Sequence, residues 1–130
     1  MPIPFVREFE PNYGKLVQVT SSIARVVANN PGPFTFKGTG VYIVGDTDVA
    51  VIDPGPDMGD HVDALKRALA GRRVTHILVT HCHNDHSPAA KPLKEWSGAK
   101  TYAFASISSK ADTHRSHTVG NFDDSLTRVE

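Results

Sequence analysis

The sequence predicts an α/β fold, a β-sheet with helices packed on it, and three observations lead there. The chain has 130 residues, one domain's worth and long enough for a real core. Its apolar patterns follow the order β-β-β-α-β-α-β, which builds layered sheets with helical crossovers. A short apolar strand, VTHILVT at 74–80, runs directly into the polar run HCHNDHS before a second helical pattern begins.

Taken in order, LVQVTSSIARVVANN at 16–30 alternates as strands do. Ile23, Arg25 and Val27 fall on one face, and Ala24, Val26 and Ala28 on the other. Residues 29–40, NNPGPFTFKGTG, form a loop because two prolines and three glycines break ladders and helices alike. VYIV-GDTD-VAVID reads as a β-hairpin turning between Gly45 and Asp48. Pro54 and Pro56 end its second strand. From Asp57 to Ala70 the period becomes helical, with Val62, Leu65, Ala68 and Leu69 as the apolar stripe. Asp60 and Asp63 sit early and Lys66 and Arg67 late, as the helix dipole prefers, and Gly71 is a natural stop.

The strand at 74–80 is apolar enough to be buried on both faces. Ser87 and Pro88 then suit the cap and first position of a second helix reaching Trp96, with Gly98 beyond it. Pro92 lacks the N–H an interior position needs, so this helix starts late or kinks. KTYAFASIS at 100–108 is a further strand, and the segment from Thr118 onward holds at most one weak strand.

Composition narrows the function classes. Lysine plus arginine equals aspartate plus glutamate at 14 each, so no overall charge favours nucleic acid or an anionic membrane. The balance is uneven: residues 1–65 hold 4 basic and 8 acidic side chains, residues 66–130 hold 10 and 6. No aromatic-interleaved basic run accompanies that tilt. Cys82 is the single cysteine, so no internal disulfide framework exists and a reducing compartment is expected. The opening MPIPFVREFEPNYGKL has no apolar signal region and no stretch approaches membrane-spanning length. The expectation is a cytoplasmic protein without membrane attachment.

The chemistry concentrates at residues 81–86. In an extended segment side chains two apart point the same way, so His81 and His83 converge on one ion while Cys82 faces elsewhere. Asp85 and His86, past a turn at Asn84, reach a second position close by. Imidazole and carboxylate together suit zinc, and also iron or manganese. Loops at the carboxyl end of a sheet strand sit on a rigid scaffold, where α/β folds place their sites.

His81-x-His83-x-Asp85-His86 resembles the signature of the metallo-β-lactamase superfamily. VAVIDPG resembles the strand that precedes that signature and ends in an aspartate near the metals, here Asp53. NPGPFTFKGTGVYIVG is similar to the subgroup of lactamase-β-like hydrolases related to glyoxalase II and to a single-strand-specific endoribonuclease, with Gly40 where relatives carry asparagine. The likeness runs from about residue 20 to 105.

The resemblance implies the N-terminal half of an αββα sandwich, with residues 1–130 the N-terminal portion of a single domain of that fold. It implies a zinc-dependent hydrolase with up to two ions, His81 and His83 on the first and Asp85 and His86 on the second. Two nearby dications make a water nucleophilic near neutral pH, and Asp85 would orient that water or manage its proton as the catalytic residue. Asp53 would accept a hydrogen bond from a ligating imidazole and fix its tautomer. The implied substrate is a small ester, thioester or lactam, or single-stranded RNA.

The family draws further ligands from later in the chain, and His114 and His117 are the only histidines after the cluster. HTVGN at 117–121 resembles the family's His-Thr-Pro-Gly-His with Asn121 in the ligand's place, and both histidines read as polar loop. Three readings stay open: a truncated hydrolase, inactive as this chain; a degenerate relative; or a homo-oligomer whose copies complete one another. The alternative function is a non-catalytic metal-binding or interaction module. A missing second layer would leave the sheet face carrying Val41, Ile43, Val49 and Val51 uncovered. His76 is expected as a core or strand-end residue, His61 on the solvent side of its helix, Cys82 as a small buried side chain, and Leu93 and Trp96 as core.

Overall fold

A computed structural model describes residues 3–4, 6–103 and 127–128, so the expectations for His114, His117 and Asn121 lie outside the described residues. The elements are β1 Val17–Gln18, β2 Ile23–Val27, β3 Gly40–Gly45, β4 Asp48–Ile52, α1 Gly59–Leu69, β5 Arg73–Val79, α2 Ala90–Ser97, β6 Lys100–Ala103 and β7 Thr127–Arg128. They make one mixed sheet in chain order, antiparallel from β1 to β4 and parallel from β4 to β7.

β3 and β4 form the hairpin expected at residues 45–48, with Gly45 opposite Val49. Gly45 has φ of 114°, and a Cβ there would run into the Asp48 carbonyl. A side chain is therefore excluded by strain and space together. Arg73 closes the same edge, its Nε donating to Asp48 Oδ1 at 2.8 Å across β4 and β5. The guanidinium holds the Asp48 carboxyl below its usual range.

α1 follows its predicted stripe, with Val62, Ala64, Leu65 and Leu69 buried, and Gly71 adopts the left-handed stop at φ 81°. α2 begins at Ala90 rather than at Pro88. Pro92 thereby falls in the first turn, where its missing N–H has no intrahelical partner to lose, and Ser87 belongs to the preceding turn instead of capping.

Both helices lie on one face of the sheet, as right-handed parallel crossovers require. Val41, Ile43, Val49 and Val51 are at most 1% exposed and share a core with Leu65, Leu69 and Leu93. This corrects the expectation that those four strand residues are left bare: the helices cover them. Among the described residues the more open face is the alternate one, where Tyr42 and Val44 are 40% and 37% exposed. Ala50, Ile52, Leu78 and Tyr102 are half-buried there.

Three further expectations change for the same reason. β5 is buried on its helix side only, through Val74, Ile77 and Val79. His76 is exposed on the other side and stacks on Tyr102 at 5.1 Å between ring centroids. Leu93 is fully buried, but Trp96 is 43% exposed, one turn on from the stripe that meets the sheet.

Candidate functional site

β4 and β5 run parallel and end side by side, with Ile52 in register with Leu78. The chain leaves β4 at Asp53 and β5 at Thr80, so two segments far apart in sequence meet at one rim. The loop at 30–39 leads into β3, whose start pairs beside the end of β4, and so rises at the same rim.

Asp53 is 8% exposed and holds φ at 48°, a left-handed conformation that aspartate tolerates better than bulky residues. Its amide donates to Leu78 O at 2.8 Å, tying the turn to β5. The carboxylate is used on both oxygens. Oδ1 accepts from Thr80 N at 2.8 Å, and Oδ2 accepts from Thr80 Oγ1 at 2.7 Å. Oδ2 also lies 3.2 Å from His86 Nδ1.

Thr80 relays this order to the first histidine. Its hydroxyl spends its proton on Asp53, so His81 Nδ1, 2.8 Å away, is the donor to Thr80 Oγ1. With Nδ1 carrying the proton, His81 Nε2 is the lone-pair nitrogen. His86 differs, because both of its ring nitrogens face carboxylate oxygens: Nδ1 lies 3.2 Å from Asp53 Oδ2 and Nε2 lies 3.1 Å from Asp85 Oδ2.

Asp53, His81 and His86 each offer one donor atom within 4.8 Å of the others. His83 lies beside this group, its ring edge-on to His81 at 4.6 Å between centroids, and the His81 and His86 rings are 4.1 Å apart. Asp85 Oδ2 touches His86 Nε2 at 3.1 Å, so all four residues of the 81–86 run singled out as ligands lie together at this rim, with Asp53 beneath them. Two imidazoles and a carboxylate at that separation are a donor set that fits a zinc-like cation.

Electrostatics favour the ligating form. Burial holds the His81 imidazole below its ordinary range, the neighbouring His86 and His83 add to that, and Asp53 and Asp85 oppose it. A neutral ring is the form that coordinates metal.

Two contributors went unread in the sequence. Thr80 looks like the last residue of an apolar strand, and only the parallel register brings its hydroxyl to Asp53. His61, expected in solvent, is 3% exposed, with Nε2 2.8 Å from Pro54 O. Burial pushes its pKa down, against the bond to Pro54 and the charge of Asp60.

Residues 35–124 match the sequence profile of the metallo-beta-lactamase superfamily. The chain belongs to that superfamily. It is 32% identical over 88 residues to a beta-lactamase-like protein 2 homolog of Caenorhabditis elegans, covering 65% of this chain and 28% of that protein. It is 37% identical over 79 residues to an atrochrysone carboxyl ACP thioesterase of Cryptosporiopsis, covering 58% and 24%. The chain thus spans about a quarter of the length of the curated relatives it matches.

Among solved structures, a metallo-beta-lactamase in complex with mercaptoacetic acid superposes with a TM-score of 0.69 at 18% identity, covering 92% of this chain and 48% of that one. A beta-lactamase domain protein from Burkholderia ambifaria gives 0.60 at 22%, covering 74% and 32%. At these identities the likeness establishes the α/β metallo-β-lactamase fold. Among the described residues no helix is long and apolar enough to cross a membrane.

Proposed function

We propose that the chain carries the metal-binding part of a zinc-dependent hydrolase that cleaves a small ester, thioester or lactam with water. The observation that carries this reading is the gathering of His81, His83, Asp85 and His86 about Asp53 at the carboxyl ends of β4 and β5. When bound, the metal supplies a Lewis acid and a nucleophilic water at neutral pH. His81, His83, Asp85 and His86 are the ligands in this reading, with two ions the full complement and iron or manganese the alternatives to zinc. Asp53 orients the His86 ring directly and the His81 ring through Thr80, which leaves Nε2 of His81 as the ligating nitrogen. Asp85, beside His86 Nε2, orients the attacking water and takes its proton.

Relatives named for a thioesterase and for lactamase-like proteins support the acyl substrates over single-stranded RNA. Residues 1–130 act here as the N-terminal portion of one domain, completed by a C-terminal half or by a second copy. The lone Cys82 supports a cytoplasmic setting. A non-catalytic metal-binding or interaction module is the second reading, favoured by the half-exposed sheet face at Tyr42 and Val44.

Zinc titration of metal-free protein, read by calorimetry and elemental analysis, tests the reading. Weak uptake is expected, because this reading gives each of the two ions only two ligands from the described residues. Joint His81→Ala and His83→Ala substitution should abolish it, and Asp53→Ala should weaken it about 10–100-fold with the fold retained. Equal metal content in parent and double variant would sink the metal site. Saturable thioester hydrolysis by the 130-residue chain alone would show instead that no further half is needed.

A further inference from the structure

We infer that His61 is a positioning residue: from the first turn of α1 its imidazole holds the Pro54–Gly55 turn, and that turn sets where Asp53 stands against His86. The inference rests on the metal-site reading above and adds a residue to it.

A carbonyl can only accept, so the 2.8 Å contact to Pro54 O places the proton on His61 Nε2. Nδ1 of the neutral ring is then a bare acceptor, and it is buried with no hydrogen-bond partner among the described residues. An apolar side chain would fill the same space without burying that acceptor. What the ring adds is the bond from Nε2.

That bond has a purpose the sheet cannot serve. Pro54 is fully buried and lies beyond the end of β4, so its carbonyl has no ladder partner. Gly55 rests directly on the ring: a Cβ built there would lie 2.7 Å from His61 Nε2. From its other side Gly55 is clamped to the histidine segment, its N–H donating to His86 O at 2.9 Å and its carbonyl accepting from Ala89 N at 2.9 Å. One three-residue turn thus carries Asp53 at its head, Pro54 backed by the imidazole, and Gly55 hooked to the strip that bears His86. Any shift of the turn changes the 3.2 Å contact between Asp53 Oδ2 and His86 Nδ1.

The test compares the full chain with His61→Leu and His61→Gln. Glutamine can still donate to Pro54 O; leucine fills space and cannot. In metal-free protein, NMR follows the His86 ring signals and the Thr80 amide, whose N–H is bonded to Asp53. Both should move in His61→Leu and return toward the parent positions in His61→Gln. Zinc or cobalt(II) affinity should fall about tenfold with leucine and recover most of that with glutamine. If His61→Leu does not fold, His61→Met is judged by the same readouts. Parent-like signals and affinity in the apolar variant, or equal losses in both variants, would overturn the positioning role. A parent protein that binds neither ion refutes the metal-site reading, while the metal-free NMR comparison still decides His61.

Discussion

The two faces of the sheet are built from the same strands and differ in what covers them. On the helix side Val41, Ile43, Val49 and Val51 are sealed by Leu65, Leu69 and Leu93. On the other, Tyr42, Val44, Ala50, Ile52, Leu78 and Tyr102 are still largely apolar but half-buried or exposed. A sheet face meant for water is polar at alternate positions. This one carries Arg25, His76 and Lys100 in register with Tyr42 and Ala50 but is otherwise mostly apolar, so hydrophobic alternation reports which residues share a face and says nothing of whether a second layer is in place.

Truncation on the two faces should have very different costs. Ile43→Ala removes a fully buried side chain from the helix-side core, for an expected loss of about 2–5 kcal/mol in urea unfolding. Tyr42→Ser, one residue away on the open face, should cost less than about 1 kcal/mol. Equal costs would mean that the open face is packed in solution.

That outcome connects to association. An apolar sheet face of this kind drives self-pairing or docking of a second layer. Sedimentation of the parent chain should show a dimer or larger, and joint Tyr42→Lys and Val44→Lys substitution should shift it to monomer. A parent that sediments as a compact monomer with cooperative unfolding removes this consequence of the open face.

The smallest expected effect lies on the covered side, at His61. Burial depresses its pKa below the ordinary 6.5, so above that value the imidazole is neutral in both folded and unfolded chains. As pH falls through about 6.5, the unfolded chain gains a proton that the folded chain refuses, and stability declines. The drop in unfolding midpoint between about pH 7.5 and pH 5.5 should be smaller in His61→Gln than in the parent. An identical drop would show that His61 reaches water.

Much of the site was legible because its signals are local. His81, Asp85 and His86 fall within six residues at a strand end, and the polar run after VTHILVT marks that end without tertiary information. The contribution of Thr80 was not legible, since a threonine closing an apolar strand differs in no way from a strand-former until its partner is known. His61 misled for a related reason. It sits next to Asp60 on a helix whose stripe is carried by Val62, Leu65 and Leu69, and only the turn at Pro54 and Gly55 folds over it to close it off. Trp96 misled in the opposite sense: it follows the fully buried Leu93 by three residues and is nevertheless 43% exposed.

The sequence by itself determined the element types, the hairpin at 45–48, the stop at Gly71 and the cluster of ligand-type residues, because each depends on period or conformational preference over a few neighbours. The tertiary structure alone decided which sheet face the helices cover, since crossover handedness, and no residue pattern, puts α1 and α2 on one side. It also decided that Asp53 meets His86 across 33 residues, because that contact exists only where β4 and β5 run parallel and end in register.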